Sequence, residues 1–141
     1  MPEILRILLD ANIFFSASYK ADHDFLQFWR EPGLVCLTLF YAADETRRNC
    51  GDAAHLARLE ELLERTYFVS DATGLLVPAR ITLPAKDRPI LAAAMQAGAD
   101  YLITGDTGHF GPWMNEPIPT RVGTLRIMRP RPFLNFLKVR S

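Results

Sequence analysis

The sequence predicts an α/β fold in which a mostly parallel sheet of four or five strands carries helices on both faces. Short apolar runs alternate with segments of helical periodicity several times along the chain. The segment from Asp87 to Asp106 shows one complete unit, an Ala-rich helix followed by a short apolar strand. At 141 residues, the chain is long enough for one sizeable core, so we expect a single domain over residues 1–141.

The first strand and helix follow from an apolar run and its end. Residues 4–9 are almost wholly apolar, which is typical of a strand buried on both faces of a parallel sheet. A helix is expected from near Ile13, and either Asp10 or Asn12 is a candidate N-cap for it. This capping role is the structural alternative to a functional role for Asp10.

The middle of the chain continues the alternation. We expect an amphipathic helix from Asp22 to before Pro32, followed by a strand over residues 34–37. A helix should then run from a cap at Thr38 to about Cys50. The next helix is expected to be capped by Asp52, to have Leu56, Leu59, Leu62 and Leu63 facing inward, and to lead to a short strand at residues 67–69. Gly74, Pro78 and Pro84 interrupt any long element between residues 73 and 84.

The last third contains the clearest unit. Asp87 is a candidate N-cap, Pro89 falls in the first helical turn, and Gly98 ends the helix. A strand is expected near Tyr101, ending in a turn at Asp106. Beyond it we expect a Gly-rich surface loop, a last strand over residues 125–128 and a short closing helix from residue 130.

Composition limits the class of protein. Hydrophobic residues make up 49% of the chain, yet no apolar run approaches the roughly 20 residues that a membrane span requires. Residues 1–10 run directly into a strand pattern without the plan of a signal peptide, so we expect a cytoplasmic protein. Cys36 and Cys50 are expected to be reduced thiols, because their spacing suits neither zinc nor a secreted disulfide framework.

The net charge is zero, which argues against a protein that coats nucleic acid without specificity. The charge is nevertheless unevenly distributed along the chain. Residues 117–141 carry six bases and no acid, so their net charge is +6 and that of residues 1–116 is −6. This basic tail would contact phosphates or an acidic partner, and a solvated basic face is the equal alternative.

Three acids are predicted to lie at one edge of the sheet. Asp10 and Asp106 each follow a strand, and Asp87 begins a helix that leads into the second of these strands. In an α/β sheet these positions share the carboxyl edge, where such folds place their sites. Glu45 is a plausible fourth member, although a surface ion pair with Arg48 would explain it equally well.

An acidic cluster of this kind requires a cation. Two carboxylates about 4 Å apart repel each other by roughly 4 kcal/mol at an effective dielectric constant near 20. Oxygen ligands favour Mg²⁺ or Mn²⁺, which suit phosphate substrates. Two such ions about 4 Å apart can generate a hydroxide and stabilise the leaving oxygen during phosphodiester hydrolysis.

Four segments carry a family resemblance: ILLDANIF, LFYAADETRRN, KDRPILAAAMQAGADYLITGD and PRPFLNFL. Their order and spacing resemble the PIN domain family, in particular VapC-like toxin ribonucleases of toxin–antitoxin systems, over nearly the whole chain. The resemblance implies a metal-dependent domain that cleaves RNA, forms a homodimer and has a cognate antitoxin as partner.

The resemblance also implies a set of site residues. The four acids of the family fall on Asp10, Glu45, Asp87 and Asp106, as catalytic residues and ligands for Mg²⁺ or Mn²⁺. Small polar residues of the site fall on Asn12 and Thr104. The chain departs from many relatives because one acid alone stands in the loop of residues 84–88 and because Thr-Gly-His follows Asp106. A sparser site would bind its second metal together with the substrate.

Basic residues are candidates for RNA binding, although plain surface solvation explains each of them as well. The candidates are Arg47, Arg48, Lys86 and Arg88 beside the acids, and Arg129 and Arg131 in the basic tail. His109, three residues after Asp106, would contact a phosphate or a metal-bound water, and a structural loop histidine is the alternative.

The leading functional hypothesis is an endoribonuclease that depends on Mg²⁺ or Mn²⁺. The second is a PIN-like module that binds RNA or protein without catalysis, and the retention of four acids argues against it, because unneutralised carboxylates bring such a module no benefit. The third is a phosphatase-like α/β domain with Asp10 as nucleophile. Such enzymes usually need a lysine late in the fold, and Lys138 is the only lysine after Arg88.

Overall fold

The computed structural model describes residues 3–72 and 77–140, and these contain one six-stranded sheet with the strand order β3-β2-β1-β4-β6-β5. The strands are β1 (Leu5–Leu9), β2 (Leu34–Thr38), β3 (Tyr67–Phe68), β4 (Tyr101–Ile103), β5 (Ile118–Thr120) and β6 (Gly123–Met128). The helices are α1 (Ala11–Ser18), α2 (Gln27–Arg30), α3 (Phe40–Asn49), α4 (Ala53–Glu64), α5 (Arg88–Gln96), α6 (Thr107–Phe110) and α7 (Pro130–Arg140).

The predicted α/β class is confirmed, with a sheet buried on both faces. Along β1, Ile7 and Leu9 belong to one apolar core and Leu8 belongs to the other. The first core is built with α1, α4 and α7, and the second with α5 and α6. The near-continuous apolar run of β1 is therefore explained, because both sets of alternating side chains are removed from water.

The sheet has six strands, whereas four or five were expected. Strands β1 to β4 and β6 pair in parallel, whereas β5 forms an antiparallel hairpin with β6 at the sheet edge. The sequence did not predict β5 because Pro119 lies within it, and proline is tolerated in a strand only at an edge or a bulge.

Several expected element ends are corrected by side-chain contacts. Asp22 does not cap the second helix; His23 Nδ1 accepts a hydrogen bond from Phe25 N (3.1 Å) and begins a 3₁₀ turn there. Thr38 does not cap α3 but ends β2, where its hydroxyl donates to Leu9 O (3.0 Å). In the first case the imidazole of His23 takes the capping position, and in the second the hydroxyl of Thr38 is engaged in a tertiary hydrogen bond.

Three further expectations concern Leu56, the loop after Asp106 and residues 73–84. Leu56 does not face inward, since 39% of its surface is exposed, whereas the other three leucines expected inside α4 are buried. The loop expected after Asp106 contains α6 and a 3₁₀ turn at Gly111–Trp113. The irregular segment expected at residues 73–84 lies outside the described residues from 73 to 76, and residues 77–84 form no helix or strand.

The end of α5 determines where Asp87 and β4 lie. Gly98 adopts a positive φ of 68°, and Ala99 N donates to Ala94 O (3.0 Å) while Gly98 N donates to Met95 O (3.2 Å). This Schellman motif reverses the chain into β4. Because α5 runs antiparallel to β4, its first residues lie at the carboxyl edge of the sheet.

Within the described ranges, no helix combines the length and apolar character that crossing a membrane would require.

Candidate functional site

A cleft of about 940 Å³ opens at the carboxyl edge of the sheet, and all four predicted acids line it. Asp10 follows β1, Glu45 lies in α3, Asp87 precedes α5 and Asp106 follows β4. Asp10 and Asp106, the first and last of the four, are more than 90 positions apart in the chain. Parallel pairing of β1 with β4 brings these two strand ends together.

Asp10 both caps α1 and lines the cleft. One carboxylate oxygen, Oδ1, accepts from Ala11 N (2.8 Å) at the start of α1. The other oxygen, Oδ2, accepts from Thr104 Oγ1 (2.8 Å) and from Asn12 Nδ2 (3.4 Å). The residue therefore caps a helix and still belongs to the wall of the cleft.

The electrostatic environment of Asp10 is unfavourable for a charge. Burial raises the pKa of the Asp10 carboxyl above its ordinary value of 3.8, while the hydrogen bonds from Thr104 and Ala11 lower it. The neighbouring negative charges of Glu45 and Asp87 raise the pKa further. This coupling indicates that the cleft concentrates negative charge that a bound cation would relieve.

Asn12 and Thr104 connect the strand ends to one another. Thr104 Oγ1 accepts from Asp106 N (3.0 Å) and Asn12 Nδ2 (3.3 Å). Asn12 Oδ1 in turn accepts from Gly105 N (2.8 Å). These side chains, which the sequence placed beside the acids, form a polar network that limits how Asp10 and Asp106 can move.

Asp87, Asp106 and His109 form a tight cluster at this edge. His109 Nδ1 lies 2.8 Å from Asp87 Oδ2 and 2.9 Å from Asp106 Oδ2. One possible ligand atom from each residue lies within 4.8 Å of the others, which is close enough to share a metal ion. Asp87 occupies the N-cap position of α5, but its side chain makes no capping hydrogen bond.

The side-chain atoms of this cluster lie close together, but their geometry is not that of hydrogen bonds. Asp87 Oδ2 and His109 Nδ1 are both buried, and neither has a partner in the described residues that satisfies hydrogen-bond geometry. A single ring N–H cannot point at two carboxylates, so the short distances do not amount to two hydrogen bonds. Buried polar atoms without such partners cost about 1–3 kcal/mol each, and a cation would remove this cost.

The donor set fits a divalent cation. Asp87, Asp106 and His109 offer two carboxylate oxygens and one imidazole nitrogen, and Asp10 and Glu45 add further oxygens in the same cleft. Carboxylates suit Mg²⁺ and Mn²⁺, and imidazole is accepted by transition metals. The orphaned polar atoms and the chemistry of the donors are thus both compatible with the metal that the sequence predicted.

Glu45 is half-buried, and the alternative explanation for it does not hold in the described structure. The ion pair between Glu45 and Arg48 that the helical spacing suggested is not formed. Arg47 instead binds Asp44 (2.8 Å) and Glu60 (2.7 Å) on the outer side of α3. Glu45 consequently faces the cleft, while Arg47 is engaged elsewhere and is a poor candidate for binding RNA.

The other basic candidates are distributed unevenly. Lys86 lines the cleft, whereas Arg88, the first residue of α5, does not. Arg129 is exposed and directly follows β6, whose last residue accepts from Thr104 N (3.0 Å). Arg131 points away to a second groove, where it contacts Asp24 (3.1 Å) and lies over the ring of Phe25.

Two aromatic residues in the cleft were not predicted as part of the site. Phe15 of α1 and Tyr41 of α3 both line it, and Tyr41 is 57% exposed. The sequence offered no signal for Tyr41, because the apolar residues at the start of α3 are equally typical of a helix that packs into the core. Exposed rings beside acidic groups offer surfaces on which nucleobases can stack.

Comparison of the chain with protein-family models and with curated proteins finds no match.

Proposed function

We propose that this chain is a metal-dependent endoribonuclease of the PIN type that hydrolyses phosphodiester bonds in RNA. The observation that carries the proposal is the convergence of Asp10, Glu45, Asp87 and Asp106 on one cleft, with two of them in contact with His109. A binding module without chemistry would have little use for like charges gathered in one cleft.

Asp10, Asp87 and Asp106 would hold Mg²⁺ or Mn²⁺, with Glu45 contributing from α3. When bound, such an ion activates water and stabilises the leaving oxygen of a phosphodiester. The chain itself orients the acids: Thr104 donates to Asp10 and accepts from the backbone of Asp106. This fixed arrangement avoids reorganisation during the reaction.

The surroundings of the acids suit an RNA strand with unpaired bases. Lys86 lines the cleft and can contact a phosphate, which positions the substrate without supplying chemistry. Tyr41 and Phe15 offer ring faces in the same cleft, and stacking on an aromatic ring contributes about 1–3 kcal/mol per base. Bases can stack in this way only where they are not held in a duplex.

The motifs that resemble VapC-like toxins support a role as the toxin of a toxin–antitoxin pair. On this proposal, the chain acts in the cytoplasm as a homodimer and is inhibited by a cognate antitoxin protein. The gene adjacent to the one that encodes this chain would test the antitoxin, and sedimentation analysis would test the dimer.

The central test is cleavage of a labelled single-stranded RNA with Mg²⁺ or Mn²⁺, with and without EDTA. Asp10→Asn should retain RNA binding and lose cleavage, whereas Asp22→Asn, an exposed acid in the second groove, should behave as the wild type. A paired RNA of the same sequence should be cut more slowly. Cleavage that survives EDTA or Asp10→Asn would contradict the proposal, and RNA binding without any cleavage would favour the catalytically inactive PIN-like module.

A further inference from the structure

We propose that His109 is a nitrogen ligand of the bound cation and that it makes the site prefer Mn²⁺ to Mg²⁺. The inference rests on the proposed metal site and names a ligand that is not one of the four acids. It also assigns a function to a histidine whose alternative interpretation was a structural loop residue.

The distances within the cluster match those between ligands of one ion. In octahedral coordination with bonds of about 2.1 Å, neighbouring ligand atoms lie about 3 Å apart. His109 Nδ1 lies 2.8 Å from Asp87 Oδ2 and 2.9 Å from Asp106 Oδ2, so the imidazole nitrogen already has the spacing of an adjacent ligand to each carboxylate. Asp87 and Asp106 line the cleft, so a metal ion can reach these two carboxylates from it.

The backbone holds His109 in this position. Asp106 Oδ1 accepts from His109 N (3.1 Å), so the acid caps α6 with one oxygen and leaves Oδ2 for the cluster. The four-residue helix that results turns the imidazole back toward Asp87. The buried Nδ1 has no described partner with hydrogen-bond geometry, and a purely structural histidine would normally have one.

A nitrogen ligand changes which cation the site prefers. Mg²⁺ strongly favours oxygen ligands, whereas Mn²⁺ stands at the start of the transition-metal series and accepts imidazole. A site of Asp87, Asp106 and His109 should therefore bind Mn²⁺ more tightly than Mg²⁺. His109→Asp would give three carboxylates and should reduce this preference, because the substituted site again offers oxygen alone.

Pulsed electron paramagnetic resonance of the Mn²⁺-loaded protein tests the ligand directly. Coupling of the manganese electrons to a ¹⁴N nucleus is expected in the wild type and should disappear in His109→Gln. His23→Gln, which removes an imidazole from the second groove, should keep the coupling. Loss of an outer partner of a metal ligand costs about 10- to 100-fold in affinity, so His109→Gln should weaken Mn²⁺ binding by at least about tenfold.

The outcomes separate this inference from the proposed function. Metal-dependent RNA cleavage without ¹⁴N coupling would overturn the ligand role of His109 and leave the ribonuclease proposal intact. Coupling that depends on His109, in a protein that cleaves no RNA, would support the ligand role of His109 and contradict the ribonuclease proposal. Coupling that persists in His109→Gln would show that the nitrogen ligand is another residue, and no Mn²⁺ binding at millimolar concentration would contradict the metal site as a whole.

Discussion

Thr104 Oγ1 lies 2.8 Å from Asp10 Oδ2 and joins the ends of two adjacent parallel strands whose residues are 94 positions apart in the chain. The same oxygen accepts from Asp106 N at 3.0 Å. Thr104 is completely buried, so water cannot replace either contact. One hydroxyl group thus orients two of the acids that line the cleft.

Thr104→Val should separate this orienting role from simple packing, because valine keeps the shape of threonine without its hydroxyl. The change leaves the N–H of Asp106 without its acceptor, and unfolding free energy should fall by about 1–3 kcal/mol. Mn²⁺ affinity should fall about 10- to 100-fold, as when a metal ligand loses its outer partner. Urea denaturation and metal titration measure the two effects.

The matched control for this experiment is Thr124→Val, since Thr124 is exposed in β6 and is not part of the cleft. This variant should change neither quantity appreciably. Wild-type Mn²⁺ affinity in Thr104→Val would mean that the threonine supports the fold and does not orient the acids.

The raised pKa of Asp10 predicts how stability varies with pH when metal is absent. Burial is the main cause of the shift, and the folded-state pKa exceeds the unfolded value. Between these two pKa values the folded chain binds more protons, so stability is highest below the window and declines as pH rises through it. Asp10→Asn removes this titration and should be more stable than the wild type above the window.

Urea denaturation in EDTA at a series of pH values rising from the unfolded pKa of Asp10 would measure its effect. The difference in unfolding midpoint between Asp10→Asn and the wild type should grow as pH rises. An equal decline in both proteins would show that other groups determine the pH dependence.

Arg129 and Arg131 should differ in their effect on RNA binding, although they lie two residues apart. Arg129 is exposed at the carboxyl edge, whereas Arg131 is bound to Asp24 in the second groove. Arg129→Glu should weaken RNA binding and reduce the slope of log affinity against log salt by about one unit, because one phosphate contact is lost. Saturating RNA should restore much of the cleavage.

Arg131→Glu is the control, and it should leave the salt slope unchanged while slightly lowering stability through loss of the contact with Asp24. Filter-binding measurements at several salt concentrations would compare the two. Equal slopes in the wild type and both variants would remove the basic tail from the RNA-binding surface and favour a solvated face or a protein partner.

The two free thiols should react at different rates. Burial raises the pKa of the Cys36 thiol to about 12, and its Sγ donates to Phe28 O at 3.3 Å. Cys50 is only partly buried, and burial raises its pKa less far. Because the thiolate is the reactive form, Ellman's reagent should modify Cys50 first at about pH 8, and Cys36 only as the chain unfolds.

Cys50→Ser should retain the slow phase alone, and denaturant should make both thiols of the wild type react rapidly. Fast reaction of Cys36 in the native variant would show that the core around α2 and β2 opens readily. That result would disagree with the exposed fraction of 4% for Cys36.

Local sequence patterns were sufficient to place the acids. Asp10 and Asp106 follow apolar runs too short for helices, and Asp87 precedes a helix whose proline and final glycine identify its two ends. These features depend on residues within a few positions of each other. The parallel topology then requires strand ends to share an edge, so their meeting in one cleft could be anticipated without coordinates.

Contacts between distant residues could not be anticipated in this way. The chain order does not reveal that Arg131 reaches Asp24, or that Arg47 is engaged by Glu60. Arg131 looks free when its immediate neighbours alone are considered, and the local pair of Arg47 with Asp44 does not reveal the contact with Glu60. The basic tail consequently appeared as one surface, whereas the fold places Arg129 after β6 at the carboxyl edge and Arg131 in the second groove.

The sequence by itself determined the α/β class, the order of most elements and the sheet edge that receives the acids, because periodicity, caps and strand ends are local properties of the chain. Only the tertiary structure decided that β5 pairs with β6, that Tyr41 faces the cleft and that His109 contacts two aspartates. The physical reason is that each of these contacts depends on how the elements pack on the sheet, which brings Asp87 to His109 and α3 to the cleft and leaves β5 as an edge strand beside β6.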